Sequence, residues 1–244
     1  MRFQGFVTPI MLKNVLFAAA ASFGLLAAPL PALAQDAAPA EAAPPAAEPK
    51  APAFRSYAPV NFDTAADLEN IWLLDLSNGE RVAIRLMPDW APNHVERIKT
   101  LTRQGFYDGV IFHRVIEGFM AQGGDPTGTG QGGSQLPDLA AEFNPIPHIR
   151  GTVSMARAND ENSANSQFFI VFYPRFSLDK RYTNFGRVIS NMAAVDAITR
   201  GEPPTNPTRI LQASIAADNK PRPATPAPQA EEEITADMLS APLN

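Results

Sequence analysis

The chain has 244 residues, room for one domain of ordinary size with extensions. Its formal net charge of −5 and isoelectric point near 5.2 speak against a nucleic-acid partner, which normally requires a basic face. With no cysteine, a disulfide framework, thiol catalysis and a lipoprotein anchor are excluded together.

The first 34 residues read as an export signal. Arg2 and Lys13 precede an apolar stretch, Val15-Leu16-Phe17-Ala18-Ala19-Ala20-Ala21, that continues through Phe23, Leu25 and Leu26. Pro29 and Pro31 break it, and Ala32-Leu33-Ala34 offers small residues for cleavage before Gln35. The run falls short of the roughly 20 apolar residues that a membrane span needs. A periplasmic or secreted protein with no stable membrane anchor after cleavage is expected, started at Met1 or at Met11. Residues 35–66 are rich in Ala and Pro, and 217–244 carry Pro221, Pro223, Pro226 and Pro228 ahead of Glu231-Glu232-Glu233. Such segments lack the apolar content to offset their ordering entropy, so a linker and an acidic tail, both largely disordered, are expected.

One compact domain is expected over 67–216. Ile71–Leu76 and Arg81–Leu86 are strand-like runs joined by Ser77-Asn78-Gly79-Glu80, whose Asn-Gly marks a hairpin. A helix follows: Pro92 suits its first turn, Val95, Ile98 and Leu101 share a face, and Gly105 suits its end. Further strand-like runs lie at Val110–Ile116, Thr152–Ala156, Phe168–Phe172 and Asn184–Ile189. A second short helix is expected over Met192–Thr199, closed by Gly201. Many short strands with two helices predict a mainly β fold, a closed antiparallel barrel capped by helices.

Familiar catalytic constellations are largely missing. His94, His113 and His148 lack metal-ligand spacing, so no metal site is expected, and no cofactor is implied. The glycine-rich stretch 123–133 lacks the Gly-Lys-Ser/Thr of a phosphate loop and reads as an irregular surface connection. More informative are Phe112-His113-Arg114-Val115-Ile116-Glu117-Gly118-Phe119-Met120-Ala121-Gln122-Gly123-Gly124, then Ser154-Met155-Ala156-Arg157-Ala158 and Asn165-Ser166-Gln167-Phe168-Phe169-Ile170.

As a set these segments resemble the cyclophilin family of peptidyl-prolyl cis/trans isomerases, in its secreted bacterial branch. Tyr107 through Gln122 match the family signature position by position. Gly124-Asp125-Pro126-Thr127-Gly128-Thr129-Gly130, Glu142-Phe143, Gly151-Thr152-Val153-Ser154-Met155-Ala156 and Asn184-Phe185-Gly186 extend the likeness over 67–210. The resemblance implies an eight-stranded antiparallel closed barrel with a helix at each end, and a surface groove whose hydrophobic pocket receives a proline ring. It implies Arg114 as catalytic residue and Phe119, Met120, Phe169 and Leu178 as the pocket. Gln122 and Gln167 would position substrate backbone, and Ala156 and Arg157 would edge the groove; Phe112 and Tyr182 complete the expected substrate-binding set. The implied partners are proline-containing segments of exported or unfolded proteins, met by a monomer.

Elementary chemistry supports Arg114 independently. Rotation about an X-Pro bond must cross a barrier of about 18–20 kcal/mol set by amide resonance. A guanidinium, permanently charged and donor-only, can donate to the lone pair that the twisted prolyl nitrogen exposes. His113, adjacent to Arg114, is expected on the opposite face as a packed, hydrogen-bonded structural residue. Many relatives carry Trp in a Trp-Leu-Asp segment; here Phe176-Ser177-Leu178-Asp179 puts Ser177 at that place, and Tyr182 takes the later groove position. Loss of the Trp predicts weak binding of cyclosporin. The alternative to an enzyme is a module that binds proline segments as a chaperone or scaffold, with turnover incidental.

Overall fold

The computed structural model describes residues 57–224. The expected signal peptide, most of the expected linker and the tail beyond 224 lie outside the described residues. Strands β1 (Ile71–Leu76) and β2 (Arg81–Leu86) form the expected hairpin, with Trp72 opposite Ile84 and Gly79 at φ 85° in the turn. Helix α1 (Pro92–Arg103) buries Val95, Ile98 and Leu101 as its periodicity predicts. Ala91 has no side chain to cap it, and the carboxylate of Glu142 accepts from the Asn93 and His94 amides instead. Its far end closes with Gly105 at φ 71°: Gly105 N–H donates to Thr102 O and Phe106 N–H to Leu101 O, both 3.0 Å.

The remaining elements are β3 (Arg114–Ile116), β4 (Met120–Gly123), β5 (Thr152–Met155), β6 (Phe168–Val171), β7 (Asn184–Ser190), α2 (Met192–Asp196) and β8 (Ile210–Ile215). Helix α2 stops earlier than expected, because Arg200 Nη1 takes the carbonyls of Asp196 and Ile198. β4 and β8 carry no strong alternation and are strands by pairing alone.

The strands run in the order β3-β4-β6-β5-β7-β2-β1-β8, every neighbouring pair antiparallel. This corrects the closed barrel. Among the described residues the end strands β3 and β8 do not pair with each other, and the sheet is curled and open. Isolated bridges, Ile111 with Arg209 and Val115 with Gly201, tie its ends together. The reason is local: the segment before β8 carries Pro203, Pro204 and Pro207, which have no N–H to extend a ladder.

Two apolar clusters divide the faces of this sheet. The inner one gathers Trp72, Tyr107, Phe112 and Phe168 edge to face, with ring centroids 4.9 to 6.1 Å apart. Burial pushes the Tyr107 phenol well above its ordinary range, and its hydroxyl donates to Ser166 O at 3.1 Å. The outer cluster is small: Met120, Phe169 and Val171, with Ile116, Phe119, Ala156, Leu178 and Tyr182 packed on it.

Residues 57–66, expected as linker, are packed on the domain. The buried Arg85 donates to the carbonyls of Asn61, Asp63, Ala66 and Asp67 at 2.6 to 3.0 Å, and Trp90 Nε1 donates to Ala58 O at 3.0 Å. A buried guanidinium must have its donors satisfied, and this segment supplies the acceptors. Past the expected boundary at 216, Asp218 pairs with Arg103 at 3.0 Å and Gln212 Nε2 donates to Pro221 O at 3.1 Å. The expected boundaries at 67 and 216 therefore move outward.

Candidate active site

Strand register assembles the site. Arg114 lies opposite Gln122 across β3 and β4, Gln122 opposite Phe169 across β4 and β6, and Phe169 opposite Ser154 across β6 and β5. Side chains alternate along a strand, so this row shares one face, while Val115, Ala121, Ile170 and Val153 point into the inner core. Beside the row opens a cavity of about 140 Å³, walled by Phe119, Met120, Phe169, Leu178 and Tyr182 and edged by Arg114, Gln122, Ala156 and Arg157. A cavity of about 150 Å³ accommodates benzene, so this one admits a small ring.

Each wall has a physical support. Tyr182 stands edge-on to Phe169 at 5.6 Å, and the Arg157 guanidinium lies 4.9 Å above the Tyr182 ring. Arg157 is held there by the carbonyls of Ala158 (2.9 Å) and Arg181 (3.0 Å). Arg175 covers Phe119 at 5.1 Å. Ser177 is exposed and Phe176 is 63 % exposed; neither lines the cavity, so the wall beside Leu178 stands open.

A polar chain runs from the row into the glycine-rich loop. Gln122 Nε2 donates to Gln167 Oε1 at 2.9 Å, and Gln167 Nε2 donates to the carbonyls of Gly132 (2.8 Å) and Gly130 (3.1 Å). Gln167 thus lines the adjoining cavity of about 540 Å³ rather than the small one. The loop itself wraps a buried carboxylate. Burial raises the pKa of Asp125, but hydrogen bonds from Thr127 and from the Gly132 and Gly130 amides overcome that and hold it at about 2. A Cβ at Gly132 would meet Asp125 Oδ1 at 2.1 Å, which explains why glycine is needed there.

Phe112 is a correction. It is fully buried in the inner core against Phe168 and does not reach the groove. Period-two alternation would put it on the Arg114 face, but residues 112 and 113 precede β3 and do not keep its pleat. His113 is buried as expected, yet neither ring nitrogen has a hydrogen-bond partner among the described residues. Burial lowers its pKa, against the opposing charge of Asp125.

Two features escaped the sequence. Ser154 Oγ lies 2.9 Å from His148 Nε2, and His148 Nδ1 lies 2.8 Å from Asp179 Oδ1. These are triad distances, but Ser154 is 0 % and His148 1 % exposed, so no substrate can reach the hydroxyl. The group instead supports the pocket floor: the His148 ring stacks on Phe169 at 6.4 Å and 20°. Burial lowers the His148 pKa, and Asp179 partly opposes that. No spacing announces this set: Ser154 stands on β5 while His148 and Asp179 lie in loops, and packing of distant segments brings the three together. The second feature is Glu202, whose carboxylate accepts from Arg114 Nε at 2.8 Å.

Known proteins resemble this chain in sequence and in fold. The family model described as cyclophilin type peptidyl-prolyl cis-trans isomerase/CLD matches residues 73–215. A probable peptidyl-prolyl cis-trans isomerase of Brucella suis biovar 1 is 48 % identical over 181 residues, covering 68 % of this chain and 92 % of the relative. Peptidyl-prolyl cis-trans isomerase B of Bacillus subtilis is 41 % identical over 128 residues, covering 52 % and 89 %. The crystal structure of cyclophilin AquaCyp293 from Hirschia baltica superposes with a TM-score of 0.58 at 31 % identity, over 64 % of this chain and 77 % of that one. A family match across most of the described domain, joined to a groove of this construction, leads to one conclusion: the chain belongs to the cyclophilin-type peptidyl-prolyl cis-trans isomerases and is an enzyme of that class.

Proposed function

We propose that this isomerase accelerates rotation of exposed X-Pro bonds in exported proteins as they fold, with Arg114 as the transition-state donor. The observation that carries the reading is the position of Arg114: in register with Gln122 and Phe169, at the edge of an apolar pocket of proline size. The ring sits among Phe119, Met120, Phe169 and Leu178, while Gln122 and Gln167 engage the neighbouring backbone. As the preceding carbonyl swings, amide resonance is lost and the prolyl nitrogen becomes an acceptor. The guanidinium donates to it then and not in the planar ground state, which is differential binding of the transition state. No nucleophile and no proton transfer is needed.

The export setting draws on the signal-like residues 1–34, and a monomer acting on proline segments, without nucleic acid, is the partner reading we favour. An intact mass beginning at Gln35 would support cleavage and export. Isomerisation of an Ala-Pro-Phe peptide by the purified protein and by Arg114→Ala tests the mechanism. A loss of order 10²-fold is expected, the scale of removing one preorganised donor, and equal rates would refute the role. The open wall at Ser177 favours one second reading, a proline-segment chaperone with incidental turnover. Folding assistance that survives in Arg114→Ala would support it.

A further inference from the structure

Arg114 has a partner placed by backbone rather than by chance on the surface. Gly201 and Val115 exchange both backbone hydrogen bonds, at 2.8 and 2.9 Å, as an isolated antiparallel bridge. One step back along one chain and one step forward along the other sets Arg114 opposite Glu202. The pair beside a hydrogen-bonded pair is the closer-packed, non-hydrogen-bonded one. Glu202 therefore rises on the outer face, at the end of the row that continues through Gln122 and Phe169. Two neighbours confine it there. Gly201 holds φ 143°, and a Cβ would sit 2.6 Å from Pro204 Cα; Pro203 lacks the N–H to prolong the ladder.

The contacts divide the guanidinium. Glu202 Oε2 accepts from Nε at 2.8 Å, Gln122 Oε1 lies 3.5 Å from Nη1, and Nη2 has no protein hydrogen bond among the described residues. Glu202 is absent from the lining of the proline pocket and faces a separate cavity on the other flank of Arg114. It holds the donor without meeting the ring. Arg114 is 41 % exposed, and a long side chain held only by the loose contact to Gln122 would sample several rotamers, few of them productive.

We propose that Glu202 is a positioning residue for isomerisation, anchoring Nε of Arg114 so that its free η nitrogen faces the prolyl nitrogen. This rests on the reading of Arg114 as donor. The test compares wild type, Arg114→Ala, Glu202→Ala and Glu202→Gln in the full chain, with kcat and KM for the Ala-Pro-Phe peptide and the Nε–Hε NMR signal of Arg114. Glu202→Ala should lower kcat about three- to tenfold with KM within about twofold, leave Tm unchanged, and broaden the Arg114 signal. Glu202→Gln keeps an acceptor oxygen and should recover more than half of the lost rate. Unchanged kcat in Glu202→Ala beside an inactive Arg114→Ala would overturn the inference alone. So would a change confined to KM, a faster enzyme, or equal loss in both Glu202 variants. A fully active Arg114→Ala would overturn the donor reading and this inference together.

Discussion

Two polar groups lie in the same cross-strand row, and only one is placed to act on a substrate. Ser154, His148 and Asp179 have the distances of a nucleophilic triad, yet the hydroxyl is sealed and its acceptor already satisfied. Arg114, three strands away in the sheet, is partly exposed at the edge of the apolar pocket with a donor to spare. Access and an unspent hydrogen bond decide what a constellation does. The closed group contributes rigidity, and the open one contributes differential binding.

Loss of the open donor should weigh most on the rate. Arg114→Ala, which should cost the roughly 10²-fold in rate already described, should leave stability within about 0.5 kcal/mol, as surface changes usually do. A large fall in Tm would mean that the arginine is structural. Ser154→Ala should behave the opposite way. It strands the His148 ring nitrogen in a dry site and should destabilise by about 1–2 kcal/mol, while peptide turnover falls by less than about tenfold. Abolished turnover with the fold intact would make the sealed group catalytic after all.

Acidification should sharpen the contrast further. His148 and His113 both have folded pKa values lowered by burial, although Asp179 and Asp125 face them. An unfolded histidine titrates near about 6.5, so the unfolded chain binds these protons more readily. Their contribution is complete above about pH 6.5 and declines as pH falls below it. Thermal melts should show Tm dropping between pH 7 and pH 5. The kcat of the surviving folded enzyme should stay flat, because a guanidinium does not titrate there. The smallest effect concerns the open wall: with Ser177 exposed beside Leu178, an inhibition titration with cyclosporin should find only weak binding.

Much of the candidate site is legible in the sequence, because its signals are local or carried by motif. Arg114, Phe119, Met120, Gln122, Ala156, Arg157, Phe169, Leu178 and Tyr182 all come together at the pocket, and Gln167 stands beside it. Helix α1 was readable from Pro92, its apolar face and Gly105, since capping and periodicity act within a few residues. The β1–β2 hairpin was readable from Asn78-Gly79 for the same reason.

Which strand lies beside which is set by packing between distant segments, and the rest of the molecule follows from it. The inward turn of Phe112 follows from the chain leaving its pleat before β3, and the open sheet follows from prolines facing the place where closure would need N–H donors. The pairing of Arg114 with Glu202 spans 88 positions and exists because a single bridge, Val115 with Gly201, sets their register. Glu202, the sealed triad and the capping of α1 by Glu142 have no sequence signature, because hydrogen bonds between distant residues are created by packing and leave no period along the chain.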